Sequence, residues 1–305
     1  YLIGRTPSPK ILMKAFAEVK PTVILSVPLI LEKIYKKMIQ PQISKKPVSW
    51  VLKMPLLDKV VLNKIRETLM NAFGGEFSQI IIGGAPLNAE VEAFLRRIKF
   101  PVTVGYGMTE TAPLISFTPW TDFRSQSCGQ VLKGFMDARI ANPDMDGVGE
   151  IQVRGENVMA GYYKNEQATK ESFTADGWLR TGDLGIIDKD GFIYIKGRCK
   201  TMLLGPSGQN IYPEEIEAKI NNMPYVLESL VLQKDTRLVA LVCPDFEAVD
   251  ADKLTQDQLE VVMEENRKLV NAELAAYEQI NELRIYTHEF EKTPKKSIKR
   301  FLYEA

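Results

Sequence analysis

Hydrophobic and polar positions change their period several times along the chain. Pro21–Val27 (PTVILSV) is apolar and β-branched, as a buried strand requires. From Leu29 to Ile39 the apolar positions Ile30, Ile34 and Met38 fall on one face and predict a helix. Val60–Phe73 predicts a second helix. SQIIIGGAPL reads as a strand running into glycines, and Asn88 stands where an N-cap would start the helix AEVEAFLRRI. PVTVGYGMTE is again a strand running into glycines. This strand–helix alternation predicts α/β architecture with a mostly parallel sheet flanked by helices.

From about Thr118 the pattern becomes that of hairpins. ARIANPDMDGVGEIQVRG and LGIIDKDGFIYIKGR each carry an Asp-Gly turn and predict a small antiparallel, β-barrel-like subdomain. After Gly197 a compact α+β unit follows. Pro213 suits a first helical position, Glu214 and Glu215 suit the first turn, and Ile216 and Ile220 make the apolar stripe. VLESLVLQKD and RLVALVCPD read as a strand pair, before a long helix near Leu254–Tyr277 and a strand near Leu283–Thr287. The expected parts are residues 1–118, 119–198 and 199–305.

Composition narrows the function classes. Lys+Arg and Asp+Glu both number 39, so the net charge is zero. That argues against a general nucleic-acid binder and makes the basic stretch EKTPKKSIKR (Glu291–Arg300) a local feature. Three widely spaced cysteines without a CxxC point to a reduced, cytoplasmic protein. His288 is the only histidine, which excludes a histidine-based triad or a multi-histidine zinc site within this chain. The most apolar run, Val23–Leu31, is too short to span a bilayer. No signal peptide is visible, and the start at Tyr1 rather than Met reads as a boundary or a cut.

The candidate chemistry lies at strand ends. In a parallel sheet, Gly83-Gly84-Ala85 and Gly105-Tyr106-Gly107 open on one edge, the edge where open α/β sheets bind ligands. In GYGMTET, Tyr106 is suited to stack on a base, Thr109 to donate to a phosphate and Glu110 to hold a hard cation; otherwise this is a polar loop. In WLRTGDLG, Asp183 is either a rigid acceptor for two adjacent sugar hydroxyls or a turn aspartate. Arg198 is either a ribose or phosphate contact or a surface charge. Lys200 sits where a hinge would be placed. GPSGQNIYPEEIE either orders a helix start or walls an extended ligand.

Taken in order, GGAPL, GYGMTET, GEIQVRGENVMAGYY, DGWLRTGDLG, DGFIYIKGRCK and GQNIYPEEIE resemble the adenylate-forming superfamily, and within it the AMP-forming acyl-CoA ligases. The resemblance runs from about residue 20 to the end, and PTVILSVPLILEKIYKK is similar to the corresponding segment of long-chain fatty-acid ligases. It implies two half-reactions: ATP and a fatty acid give an acyl-adenylate, then CoA takes the acyl group and AMP leaves. It implies a nucleotide site of Gly83, Gly84, Ala85, Tyr106, Gly107, Asp183, Ile195 and Arg198, with Thr109 on phosphate and Glu110 on Mg²⁺. It also implies a mobile C-terminal lid hinged at Lys200, and a CoA tunnel beside Gly208, Gln209 and Asn210. Fatty acid and CoA are the expected partners, nucleic acid is not, and peripheral membrane contact and oligomeric state stay open.

Two departures qualify this picture. The family's Gly/Ser/Thr-rich phosphate loop does not precede GGAPL, so the resemblance implies a truncated large domain, the C-terminal part of a longer ligase, with the isolated part inactive. Near the end, Thr293-Pro294 is present but Ser297 stands where the family has its adenylation lysine, leaving Lys296 and Lys299 as candidates. An acyl-carrier-protein ligase and a non-catalytic homologue remain as alternatives.

Overall fold

The computed structural model describes residues 9–43, 45, 50, 54, 57–293 and 297–304. Strands β1 (Val23–Ser26), β2 (Gln79–Ile82) and β3 (Val102–Val104) form a sheet in that order. Both pairings are parallel, with Ile24 opposite Ile80 and Ile80 opposite Val102. The helices Leu57–Ala72 and Ala89–Arg97 lie in the connections between these strands. Ile80, Ile82, Phe73 and Phe100 are at most 1% exposed, and Phe73, Phe77 and Phe100 pack ring against ring at 5.7–6.1 Å. The helix Ala89–Arg97 begins where its cap predicts: Asn88 Oδ1 accepts from the amides of Glu90 and Val91.

The predicted helix over Leu29–Ile39 takes a different form. It is α-helical over Pro28–Ile34 and becomes a π turn over Tyr35–Ile39. Tyr35 is buried there, its hydroxyl donating to Glu90 at 3.0 Å. That tertiary contact has no signature in local spacing.

Strands β4 (Tyr106–Gly107), β5 (Leu114–Phe117) and β6 (Gln130–Val131) make a second small sheet with antiparallel pairings. Strands β7 (Met136–Ala141), β8 (Gly149–Gly155), β9 (Leu179–Ile187) and β10 (Ile193–Arg198) follow in the spatial order β10-β9-β8-β7. They form an open sheet, and no barrel closes among the described strands.

Further on, β11 (Leu203–Leu204) and β12 (Asn210–Ile211) make a two-stranded hairpin in what the sequence presents as loop. The helix Pro213–Ile220 has Pro at its start and buries Ile216 and Ile220. Strands β13 (Val226–Lys234) and β14 (Arg237–Pro244) pair antiparallel, and β15 (Ile280–Ile285) joins β14 in parallel. The helix Gln256–Ala272 carries a Thr255–Gln258 capping box and buries Leu259, Met263 and Val270 against this sheet's core. It ends earlier than its apolar pattern suggests. Asn271 turns its side chain to the backbone of Ile280, accepting from the amide and donating to the carbonyl.

The chain divides into two compact units. One comprises residues 1–139, 152–181 and 187–195, the other residues 140–151, 182–186 and 196–305. Among the described residues, no helix is long and apolar enough to cross a membrane.

Candidate functional site

In the first unit, β2 and β3 run parallel, so the two glycine-rich exits leave the sheet at the same edge. Gly84 takes a left-handed φ of +87°, and a Cβ there would meet nothing within 4 Å. Gly84 and Ala85 are exposed and Gly83 is half-buried. Tyr106 is only 7% exposed, and Gly107 packs so tightly on Pro113 that a Cβ would collide with its carbonyl oxygen.

Thr109–Thr111 forms a short 3₁₀ turn, with Thr109 exposed and Glu110 half-buried. This turn is clasped from the segment 157–162, which by sequence is only part of the motif GEIQVRGENVMAGYY. Asn157 Nδ2 donates to the carbonyls of Thr111 (2.6 Å) and Leu114 (3.0 Å). The Met159 amide donates to the Glu110 carbonyl at 2.8 Å. The Tyr162 hydroxyl donates to Glu110 Oε1 at 2.8 Å, and this bond, helped by partial burial, pushes the phenol above its ordinary range. Asn157 Oδ1 is buried and accepts no hydrogen bond among the described residues.

In the second unit, Asp183 stands on β9 directly after Gly182, whose φ is +71°. It is 5% exposed, and its Oδ1 lies 2.9 Å from Arg198 Nε at the end of β10. The Cys199 amide donates to the Gly182 carbonyl at 2.9 Å and fixes the spacing of the two strands at that point. Arg198 is exposed, so its guanidinium is presented to solvent while Asp183 anchors it. Lys200 is exposed in the turn that follows. Ile195, on β10 but within the first unit, is half-buried.

Gly208 (φ +81°) turns the hairpin between β11 and β12, with Gln209 and Asn210 half-buried. Gln209 Oε1 is buried and accepts no hydrogen bond among the described residues. Asn210 Nδ2 donates to Asp144 Oδ2 at 3.0 Å. By sequence alone Asp144 is a plain turn residue.

Near the C-terminus, the Thr293 amide donates to the Ser297 carbonyl at 2.8 Å, and Lys292 bridges Ile298. Lys299 is tied to Glu291 twice, by its amide to the carbonyl (2.8 Å) and by Nζ to Oε2 (3.0 Å). Lys296 lies outside the described residues.

Residues 2–163 match the family model described as AMP-binding enzyme. The chain belongs to this family. As a member of the AMP-binding enzyme family it is 30% identical, over 98% of its length, to the long-chain-fatty-acid–CoA ligase FadD15 of Mycobacterium bovis. It is 31% identical over 73% of its length to the long-chain-fatty-acid–CoA ligase ACSBG2 of Gallus gallus. It covers 55% and 32% of those two proteins, so it spans about half the length of the first and a third of the second.

Among solved structures it is similar to ATP-bound MatB from Rhodopseudomonas palustris, with a TM-score of 0.68 and 25% identity over 97% of this chain and 52% of that one. The adenylation domain of a carboxylate reductase from Mycobacterium chelonae superposes with a TM-score of 0.76 at 21% identity, over 95% of this chain and 46% of that one. At that identity the likeness concerns the fold.

Proposed function

We propose that this AMP-binding chain serves ATP-dependent activation of a long-chain fatty acid and its transfer to CoA. In the first half-reaction the fatty-acid carboxylate attacks the α-phosphate of ATP, pyrophosphate leaves and an acyl-adenylate forms. In the second the CoA thiol attacks the acyl carbon and AMP leaves. The observation that carries the reading is the Asp183–Arg198 pair, a buried carboxylate with a guanidinium 2.9 Å away on the neighbouring strand. A rigid acceptor of this kind suits the two hydroxyls of a ribose. The long-chain ligase relatives support the fatty-acid substrate.

Tyr106, Gly107, Gly83, Gly84, Ala85 and Ile195 are proposed as nucleotide contacts, and Thr109 as a phosphate contact, on the family resemblance of their motifs. Glu110 is the proposed Mg²⁺ ligand. Tyr162 orients its carboxylate through one oxygen, and among the described residues no group of three metal-ligating side chains exists. A single carboxylate fits Mg²⁺, which takes most of its ligands from phosphate and water. When bound, the ion would neutralise charge on the phosphates. On the thiol side, Gln209 offers a buried acceptor that no described residue uses. Lys200 is the proposed hinge.

Calorimetric titration tests this reading. AMP is expected to bind, GMP more weakly, and a hexadecanoyl sulfamoyl adenosine more tightly than AMP. An acyl analogue that gains nothing over AMP would overturn the fatty-acid assignment.

A further inference from the structure

The hairpin β11–β12 has only two paired residues per strand, Leu203 with Ile211 and Leu204 with Asn210. Its turn is closed by the Gly205 amide on Gln209 (2.8 Å) and the Gly208 amide on Gly205 (2.9 Å). A ladder this short is marginal in water without support from elsewhere. One support is Gln233, whose Nε2 donates to the Leu204 carbonyl at 2.8 Å.

The other support is Asp144, in the loop between β7 and β8. Its Oδ1 accepts from the amides of Asp146 (3.0 Å) and Val148 (2.9 Å), which closes its own loop. Its Oδ2 accepts from Asn210 Nδ2 (3.0 Å) and from the Tyr212 hydroxyl (3.3 Å). Tyr212 is buried with Val148 and Leu184, so loop, hairpin and sheet meet at one small apolar cluster within a single compact unit. Burial works against the charge on Asp144, but the four accepted hydrogen bonds outweigh it and hold the carboxyl below its ordinary range. One ionised group therefore joins residues on either side of the turn at Lys200.

We propose that Asp144 is a positioning residue that sets where Gly208, Gln209 and Asn210 stand, and with them the wall offered to the thiol substrate. Only the role of that wall rests on the ligase reading; the clamp itself does not.

The test is amide hydrogen exchange on the chain without ligand. Asp144→Ala is expected to speed exchange at Gly205, Gly208 and Ile211 by about tenfold or more. Tyr212→Phe spares the bonds from Asp146 and Val148, and is expected to speed the same hairpin amides about threefold. Amides in the middle of β13 and β14 are expected to exchange as in the wild type. Wild-type exchange of the hairpin in both variants overturns the proposal. So does an acceleration that is equally large in β13 and β14, because Asp144 would then act on global stability alone. CoA added to the wild type separates the two claims. Protection of the hairpin amides that is lost in Asp144→Ala, with AMP affinity unchanged, supports the positioning role. Hairpin amides that speed up as expected but gain no protection from CoA overturn the thiol reading and leave Asp144 as the clamp.

Discussion

Arg300 Nη1 lies 2.6 Å from Glu217 Oε1, and the same carboxylate oxygen accepts the Val231 amide at 2.7 Å. The pair ties the end of the chain to the helix Pro213–Ile220 and to β13. Burial raises Glu217 from 4.5 to about 7, although Arg300 opposes the shift. The folded chain therefore binds more protons here than the unfolded chain between those two values. Stability from this group is fully present below about pH 4.5 and lost as pH rises to about 7. Glu217→Gln is expected to flatten the pH dependence of unfolding by up to about 3 kcal/mol. Arg300→Met leaves the carboxylate without its cation and is expected to cost about 3–5 kcal/mol near pH 8, but distinctly less near pH 5. Urea midpoints at the two pH values check both, and an Arg300→Met cost independent of pH would contradict them.

The two glycine exits make different demands. Gly107→Ala would drive a Cβ into the Pro113 carbonyl, whereas Gly84→Ala meets no atom and strains only its positive φ. Thermal unfolding should show a loss of more than about 3 kcal/mol for the first and about 1 kcal/mol for the second. Equal losses would mean that β4 and β5 do not approach as closely as described.

Lys299 is held by Glu291 through both backbone and side chain. This bears on which lysine would serve the proposed first half-reaction. An exposed pair contributes little, so Lys299→Ala should cost less than about 1 kcal/mol of stability. In a ligase that carries this segment together with the phosphate loop, pyrophosphate exchange should then fall more than about tenfold in Lys296→Ala and stay near the wild-type rate in Lys299→Ala. The reverse order would assign the role to Lys299.

What the sequence revealed was what depends on near neighbours. Asn88 as a cap, Pro213 at a helix start and the apolar runs of β1, β2 and β3 are short-range signals, and each stands where its pattern put it. The π turn at Tyr35–Ile39 accompanies a bond to Glu90, 55 residues on, and the helix ending at Ala272 accompanies Asn271's bonds to the backbone of Ile280 in the next strand. Spacing carries no trace of such partners. The site divides in the same way. Asp183 between glycines stood out as a rigid turn carboxylate. Tyr162, Asn157 and Asp144 did not, because the bonds that matter reach 43–68 residues along the chain. Glu92 is a similar case. It is 1% exposed, and it accepts from Ser125 and Gln126, although its helical position reads as an ordinary surface acid.

The central claim is that Asp183, steadied by Arg198, receives the ribose of an adenine nucleotide. Calorimetric titration of AMP into the wild type and Asp183→Ala tests it most directly. The account predicts measurable binding by the wild type and a loss of about 10–100-fold in Asp183→Ala, the range expected for charge-assisted hydrogen bonds. Equal affinity in the two proteins, or no AMP binding by the wild type, would contradict it.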